Sequence, residues 1–522
     1  MSTPRVFRND WSTVRVPELG RWRPELTVSV VIPAYRCQAS LDLTLASLAR
    51  QTYPAELLEV VVVDDGSEPK LELPERRPAR CRLVRVTEGW GRANALRYGA
   101  EQSTGEILHW LDADMVVFPE HVEAQARWHH ALPYAVTLGW KRFVDVAPDR
   151  AGWPSPEQPA EELFAGLPSE PHDYVERYIE QTDQLRAADH LAFMIHVGAT
   201  AALRRELYEA AGGLDPELKL GEDTEFGYRL AQAGAVFVPE PAARAWHLGA
   251  THMMRHQDQL RRYNRPHLAE RMPQPRWLRK VGGSGGAVPL VTAVVEVADR
   301  PLERVRAAVD ALLRGEERDL RVLLVGPWDT LTDDRMSPLT DPHLDLRLIA
   351  ATYRSDPRVR LVRRAPESVF PSPFLLRVPV DCGLTRPAVG RLLDYADRHQ
   401  LGLVRVPVGT AGTVELWRTA ALGRADFLRR DGESLGDVVA ATHGADTVPA
   451  KTVGIVDLSA YPVEQLAAGI GALPDAHLPT GRWLPTSVEV AGVRSLARAT
   501  AVVARLTATR ATARLRRLLT RR

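Results

Sequence analysis

The chain is poor in the features that would place it quickly. Among 522 residues there are three cysteines, Cys37, Cys81 and Cys382, scattered and odd in number, so neither a disulfide framework nor a Cys-based metal site is spelled out, and a reducing compartment is expected. The formal net charge is +1, which gives no overall field for gathering nucleic acid or an anionic surface. No window approaches the roughly 20 uninterrupted apolar residues of a membrane span, and the N-terminus lacks the apolar core of a secretory signal. A cytoplasmic protein is expected, one that touches a membrane at most from its inner face. What remains is an ordinary soluble composition, 45% hydrophobic and 25% charged, long enough for two or three cores.

The first half alternates buried strands with helices. Leu26 to Ile32 is an apolar run broken at Pro33-Ala34-Tyr35; Leu41, Leu45 and Leu48 then recur at helical spacing from Ser40, a suitable N-cap. Leu57 to Val63 enters Asp64-Asp65-Gly66-Ser67, and Leu83 to Val86 leads through Gly89-Trp90-Gly91-Arg92-Ala93-Asn94 into the next helix. In open α/β sheets ligands gather at the carboxyl ends of such strands. The apolar stretch Ile107 to Phe118 then delivers Asp112 and Asp114 with only Ala113 between them. In an extended segment these two share a face, and like charges so close favour a hard cation such as Mg2+ or Mn2+. Taken alone, such a pair is more often a polar turn after a buried strand.

From Val144 to His172 the pattern dissolves into a Pro- and Glu-rich stretch, expected as a loop, either a surface excursion or an acceptor-side lid. A helix from Tyr174 through Leu185 is expected next. Later, Gly221-Glu222-Asp223-Thr224-Glu225 opens a helix with an apolar stripe at Phe226, Leu230 and Ala233, so Asp223 is either functional or a helix-start carboxylate. His247, between Trp246 and Leu248, closes this half. His252 and His256, with Arg255, Arg261 and Arg262 around them, suggest a solvated basic face.

Five pieces stand in one order: VSVVIPAY, VVVVDDGS, the Gly-rich Arg-Asn segment, LDAD and GGLDPELKLGEDTEFGYRL. That series resembles the inverting glycosyltransferase family 2, whose catalytic domain has the GT-A fold, and the resemblance spans roughly residues 27 to 250. It implies an α/β fold, a Rossmann-like mixed sheet that binds nucleotide-diphospho-sugars. It further implies that Pro33, Ala34 and Tyr35 line a nucleotide pocket, with Asp65 at the base edge and Asp64 beside it. Arg92 and Asn94 would lie on the nucleotide side. Asp112 and Asp114 resemble the metal-binding pair, Asp223 the general base with Glu222 as alternate. His247 resembles a histidine that some members place near metal and diphosphate, or else it is a packed core residue. Gln259 to Tyr263 only faintly matches the Gln-x-x-Arg-Trp signature of processive synthases, so a nonprocessive enzyme is expected.

The expected partners are a nucleotide-sugar donor, a glycan or lipid-linked acceptor and Mn2+ or Mg2+, with no nucleic acid, in cell-surface polysaccharide or glycoconjugate synthesis. The alternatives are a nucleotide-sugar-binding scaffold without turnover and a nucleotidyltransferase.

The expected organisation is a leader over 1–26, a catalytic domain over 27–280, a Gly/Ser linker over 281–287, an accessory α/β domain over 288–465 and a basic tail over 487–522. The accessory segment repeats the first half's order in degraded form: Asp381 stands without a second aspartate because Gly383 replaces it, and only Asp437 matches the Glu222-Asp223 position. It is expected to be catalytically silent. The tail has nine arginines and one acid, Glu489, with a partial apolar stripe, suggesting a basic amphipathic helix for an anionic membrane face or a solvated helix.

Overall fold

The computed structural model describes residues 3–146, 155–250, 256–279, 285–297 and 299–467. His252, Arg255 and the basic tail lie outside them. No helix among the described residues is long and apolar enough to cross a membrane.

The first half is built on β1 (Val28–Ala34), β2 (Leu58–Asp64), β3 (Cys81–Arg85), β4 (Ile107–Trp110), β5 (Met115–Val117), β6 (Ala135–Val144), β7 (Ser169–Pro171), β8 (Ala201–Arg204) and β9 (Val236–Leu248). They form one mixed sheet in the order β3-β2-β1-β4-β8-β6-β9-β5, with β7 added to β6. β1, β2, β3 and β4 run parallel, β8 runs against β4, and β6 runs parallel to β9. The near-continuous Val and Ile of β1 and β2 suit strands covered on both faces. The helices are α1 (Gln38–Leu48), α2 (Arg92–Gln102), α3 (His121–Ala131), α4 (Ala160–Leu163), α5 (Asp173–Gln181), α6 (Arg205–Ala210), α7 (Glu222–Gln232) and α8 (Gln257–Arg271).

Several local expectations change. α1 starts at Gln38 with Cys37 as N-cap, and the Ser40 hydroxyl donates to the Cys37 carbonyl instead of capping. α5 stops at Gln181 because Asp183, Gln184 and Leu185 take positive φ, which no helix continues through. The irregular stretch after Val144 contains α4 and β7, and β7 pairs with the end of β6. The supposed leader is a strap: Val6 is fully buried, Asn9 exchanges hydrogen bonds with the Phe237 backbone and donates to Leu185, and the Arg8 amide donates to Thr442.

The second half holds β10 (Val291–Glu296), β11 (Leu320–Val325), β12 (Val359–Val362), β13 (Phe374–Arg377), β14 (Cys382–Leu384), β15 (Leu403–Val408), β16 (Gly412–Arg418), β17 (Ala445–Thr447) and β18 (Ile455–Asp457). Its helices include α9 (Leu302–Arg314), α10 (Leu344–Tyr353), α11 (Ala388–Arg398), α12 (Thr419–Leu428) and α13 (Leu435–His443). The sheet order β12-β11-β10-β13-β16-β15-β17 repeats the first sheet's order, and its strand directions repeat as well. The helices repeat less closely: α2 follows β3 whereas a loop joins β12 to β13, α10 lies between β11 and β12 where no helix joins β2 to β3, and α4 and α5 have no counterpart between β15 and β16.

The two sheets share one compact unit and one apolar cluster, in which Trp128 and Val236 pack with Leu403, Trp417 and Leu422. Gly285 and Gly286, expected as free linker, lie against Asp319 and the Glu270 backbone so closely that a side chain would not fit.

Candidate active site

Because β1, β2 and β4 are parallel, their carboxyl ends open on one edge of the sheet. A cleft of about 250 Å³ lies there, lined by Pro33 and Ala34 at the end of β1 and Tyr35 just beyond it, Asp65 after β2, Arg92 at the start of α2, and Asp112 and Asp114 after β4. Segments far apart in sequence are thus brought together.

Asp112 and Asp114 do not sit on one face of an extended strand. They occupy the turn between β4 and β5, closed by the Met115 amide donating to the Asp112 carbonyl at 3.2 Å. The turn still converges its carboxylates, because β5 pairs with β9 and sets Met115 opposite His247. One ligand atom from each of Asp112, Asp114 and His247 lies within 4.8 Å of the others, the one such group found among the described residues. His247 Nδ1 faces the Gly249 carbonyl at 3.1 Å; the carbonyl accepts its proton, so in the neutral imidazole Nε2 carries the lone pair, and Nε2 lies 3.9 Å from Asp114 Oδ1. Asp114 Oδ1 is buried without a hydrogen-bond partner, and burial pushes the Asp114 carboxyl above its usual range despite His247 nearby. An orphaned carboxylate oxygen, a second carboxylate and an imidazole of fixed tautomer fit a hard or borderline divalent cation.

Arg92 is the hub on the other side. Its Nε donates to Asp112 Oδ1 at 2.8 Å, and its Nη1 donates to Glu222 Oε1 at 3.0 Å and Asp223 Oδ1 at 2.8 Å. Burial works against its charge, but Asp112, Asp223 and Glu222 outweigh it and hold its pKa well above the ordinary value. Gly91, the N-cap of α2, has φ 101°, a backbone that favours glycine, and its amide donates to Asp65 Oδ2 at 2.7 Å. Arg92 therefore faces carboxylates across the cleft.

Glu222 and Asp223 open α7 and differ in environment. Burial and then Asp223 push Glu222 up to about 7, while Arg92 and His196 hold Asp223 below the usual carboxylate range although burial opposes them. The Asp223 side chain is 26% exposed and that of Glu222 9%, so Asp223 is the one a substrate can reach while ionised. Gly198 leaves room for this pair: a Cβ there would meet Asp223 Oδ1 at 2.5 Å and Arg92 Nη2 at 2.9 Å.

Two expected residues do other work. Asp64 is 2% exposed, its oxygens taken by the Ser67 amide at 2.8 Å and Arg85 at 3.0 Å, so it braces the loop after β2 and does not line the cleft. Asn94 donates to the Glu88 carbonyl at 2.9 Å and ties down the Gly-rich turn.

Other residues enter that the sequence did not single out as site residues. Lys141 on β6 is 5% exposed, and burial lowers its pKa to about 8 even though Asp112 and Asp223 oppose it. His196, 2% exposed, donates from Nδ1 to the Asp223 carbonyl at 2.8 Å and steadies the start of α7. Lys219 lies over the exposed Trp90 ring, 4.7 Å from its centroid. Each sits in an apolar or mixed context that gives no one-dimensional signal.

The site is thus a cleft at the parallel edge of a mixed sheet, with an Asp-x-Asp turn after the fourth strand. Residues 29–212 match the model of Glycosyl transferase family 2. The match includes Asp112 and Asp114 and ends before Asp223 and His247. Validoxylamine A glucosyltransferase of Streptomyces hygroscopicus subsp. limoneus is 29% identical over 252 residues, 44% of this chain and 53% of that protein. Chondroitin synthase of Escherichia coli is 25% identical over 363 residues, 66% of this chain and 51% of that protein. The chain thus spans about half the length of these curated relatives. A mannosyltransferase from Pyrobaculum calidifontis solved with GDP-Man and Mn2+ is 20% identical, over 53% of this chain and 70% of that one, at a TM-score of 0.30, too loose a likeness to argue from.

Proposed function

We propose that the chain transfers a sugar from a nucleoside-diphosphate donor to an acceptor hydroxyl by a single inverting displacement. The observation that carries this is the convergence on one cleft of Asp112, Asp114 and His247 on one side and the Arg92–Asp223 pair on the other. Pro33, Ala34, Tyr35 and Asp65 take the nucleoside. Asp112, Asp114 and His247 hold Mn2+ or Mg2+, which when bound neutralises charge on the departing diphosphate. Asp223 accepts the acceptor's hydroxyl proton; the freed oxygen bonds to the anomeric carbon as the carbon–phosphate oxygen bond breaks, and the diphosphate leaves with that electron pair. Arg92 keeps Asp223 ionised and aimed.

The acceptor enters past β7 and α5, where Tyr174 is 50% exposed, stacks edge-on with His172 at 4.7 Å, and feels the charge of Asp223. A glycan or lipid-linked alcohol reached from the cytoplasmic side suits this open face. A nucleotidyltransferase would need a basic, glycine-rich turn after β1, where Pro33-Ala34-Tyr35 stands.

The second sheet is a silent duplicate in this account. Asp381 directly precedes β14 as Asp114 precedes β5, so the missing partner is the first aspartate, replaced by Pro379, and not one replaced by Gly383. Asp381 is neutralised by Arg304 at 3.0 Å and Arg300 at 3.3 Å. Asp437 is spent on the N-cap Ser434, which it engages through its carboxylate and its amide.

The test is nucleoside-diphosphate release from a panel of nucleotide sugars with acceptor glycans, in Mn2+ and in EDTA. Release with at least one donor, abolished by EDTA, is expected; release that is indifferent to EDTA removes the cation from the account.

A further inference from the structure

A second cavity, of about 70 Å³, lies where the N-terminal strap meets both halves. Its walls include Arg8 of the strap, His190 after α5, Gln232 in the last turn of α7, Arg418 at the end of β16, Arg424 of α12 and His443 at the end of α13. It sits at the end of α7 opposite Glu222 and Asp223, on the order of 15 Å along an 11-residue helix.

The cavity is rich in positive charge. Arg424 is 3% exposed, and its guanidinium donates to the carbonyls of Gly234, Ala235 at 2.9 Å, Val6 at 3.2 Å and Arg8 at 2.8 Å, with no carboxylate among these partners. Arg8 donates to the His399 carbonyl at 2.8 Å and to Gln400 at 3.4 Å, and its Nε is buried without a partner. Only Arg418 has an acid, Asp397 at 2.7 Å. Asp189 at the rim accepts from the Leu191 amide.

The neutral groups are unfinished as well. Gln232 is 3% exposed with Oε1 lacking a partner, and His190 Nδ1 is also buried without one. Turning the Gln232 amide over presents a donor at the same place. Burial and then Arg424, Arg418 and Arg8 lower the pKa of His443 well below its usual value, and all three arginines line the same cavity as His443. Arg8 is half-exposed and Arg418 is paired, so Arg424 is the buried cation without a counter-charge; that is costly, and an anion beside it offsets the cost.

We propose that this cavity binds a small oxyanion of the phosphate class, held by Arg8, Arg418 and Gln232, at the junction of the strap, α7 and the second sheet. The volume suits one tetrahedral anion and not a nucleotide. The anion fastens the far end of the helix that carries Asp223.

The experiment uses the full chain in EDTA, which keeps the anion from cation-bridged binding in the donor cleft. Melting is followed against sodium phosphate, against glycerol phosphate, and against sodium chloride of equal ionic strength. Inorganic phosphate is expected to raise Tm by about 2 °C at tenfold excess over its Kd. A larger response to glycerol phosphate assigns the site to a phosphorylated metabolite instead of the free ion. Arg8→Gln should weaken the response at least tenfold. Gln232→Glu, which supplies an internal counter-charge, should raise the basal Tm and abolish the response. Nucleoside-diphosphate binding in Mn2+ should be unchanged in both variants. An equal phosphate response in wild type and variants, or one matched by chloride, overturns the proposal.

Discussion

Replacing Asp223 by asparagine separates chemistry from architecture at one atom. The amide keeps the shape of the carboxylate and can still accept from Arg92 Nη1, 2.8 Å away, and from the Gly198 amide. What is lost is a charge-assisted hydrogen bond, about 2 kcal/mol, and the capacity to take a proton. Arg92 retains Asp112 and Glu222, so it is not stranded. Glu222 should then ionise more readily, since Asp223 is one cause of its rise to about 7. The expected result is a folded protein with a Tm within a few degrees of wild type, donor KM within about threefold, and kcat for transfer lower by on the order of 10² to 10⁴. The assay is initial-rate sugar transfer with varied donor, beside a melt. Full transfer activity in Asp223→Asn would refute the assignment, and a comparable collapse in Glu222→Gln alone would move the role to Glu222.

Gly198→Ala should part the Arg92–Asp223 pair, since the new methyl falls on both side chains; transfer is expected to drop at least tenfold while melting barely moves, and unchanged kcat would contradict the aim attributed to Arg92. Asp381→Ala should leave transfer within about twofold and lower Tm through the unpaired Arg304; metal-dependent loss of turnover would place chemistry in the second sheet. Mild acid should destabilise the fold through His109, His121 and His129, all buried between α3 and the sheet with Gln125 and Thr137. Burial lowers His121 to about 4 and His129 to about 3, so the unfolded chain binds the extra protons. Stability is therefore full above about pH 6.5 and falls as pH drops, by on the order of 2 kcal/mol per histidine at pH 5. Glu59, whose pKa is about 2 through Ser29, Thr104 and Arg82 against burial, weakens the fold only below about pH 4.5. Urea midpoints that coincide at pH 7 and pH 5 would rule out the histidine account.

The first strands and the ends at which they open were legible because their signals are local: valine runs ending in Pro33-Ala34-Tyr35, Asp64-Asp65 and Asp112-x-Asp114 mark the carboxyl ends of buried strands. The geometry behind them was less so. Asp112 and Asp114 converge through a turn fixed by Met115 pairing with His247, a register that no linear spacing reports. Asp64 and Asn94 look like ligands in sequence, yet Asp64 is taken by the Ser67 amide and by Arg85 at the end of β3, and Asn94 by the Glu88 carbonyl. Lys141 and His196 are invisible for the opposite reason, since their environment comes from elements distant in the chain. The strap over residues 3–26 carries no period, because it runs as irregular chain across both halves and is held by single side chains such as Val6 and Asn9. The repeated sheet was legible as an order of strands. The inactivity proposed for it rests on Pro379, the missing counterpart of α2, and two arginines on Asp381, which only the pairing of strands aligns.

The most direct measurement is calorimetric titration of the chain with a panel of nucleoside diphosphates in Mn2+, repeated in EDTA and in Asp114→Asn. Binding of one diphosphate that weakens at least tenfold on removing either the cation or the Asp114 charge is the predicted result. A folded protein that binds no nucleoside diphosphate in Mn2+, or binds one equally well in all three conditions, would contradict it.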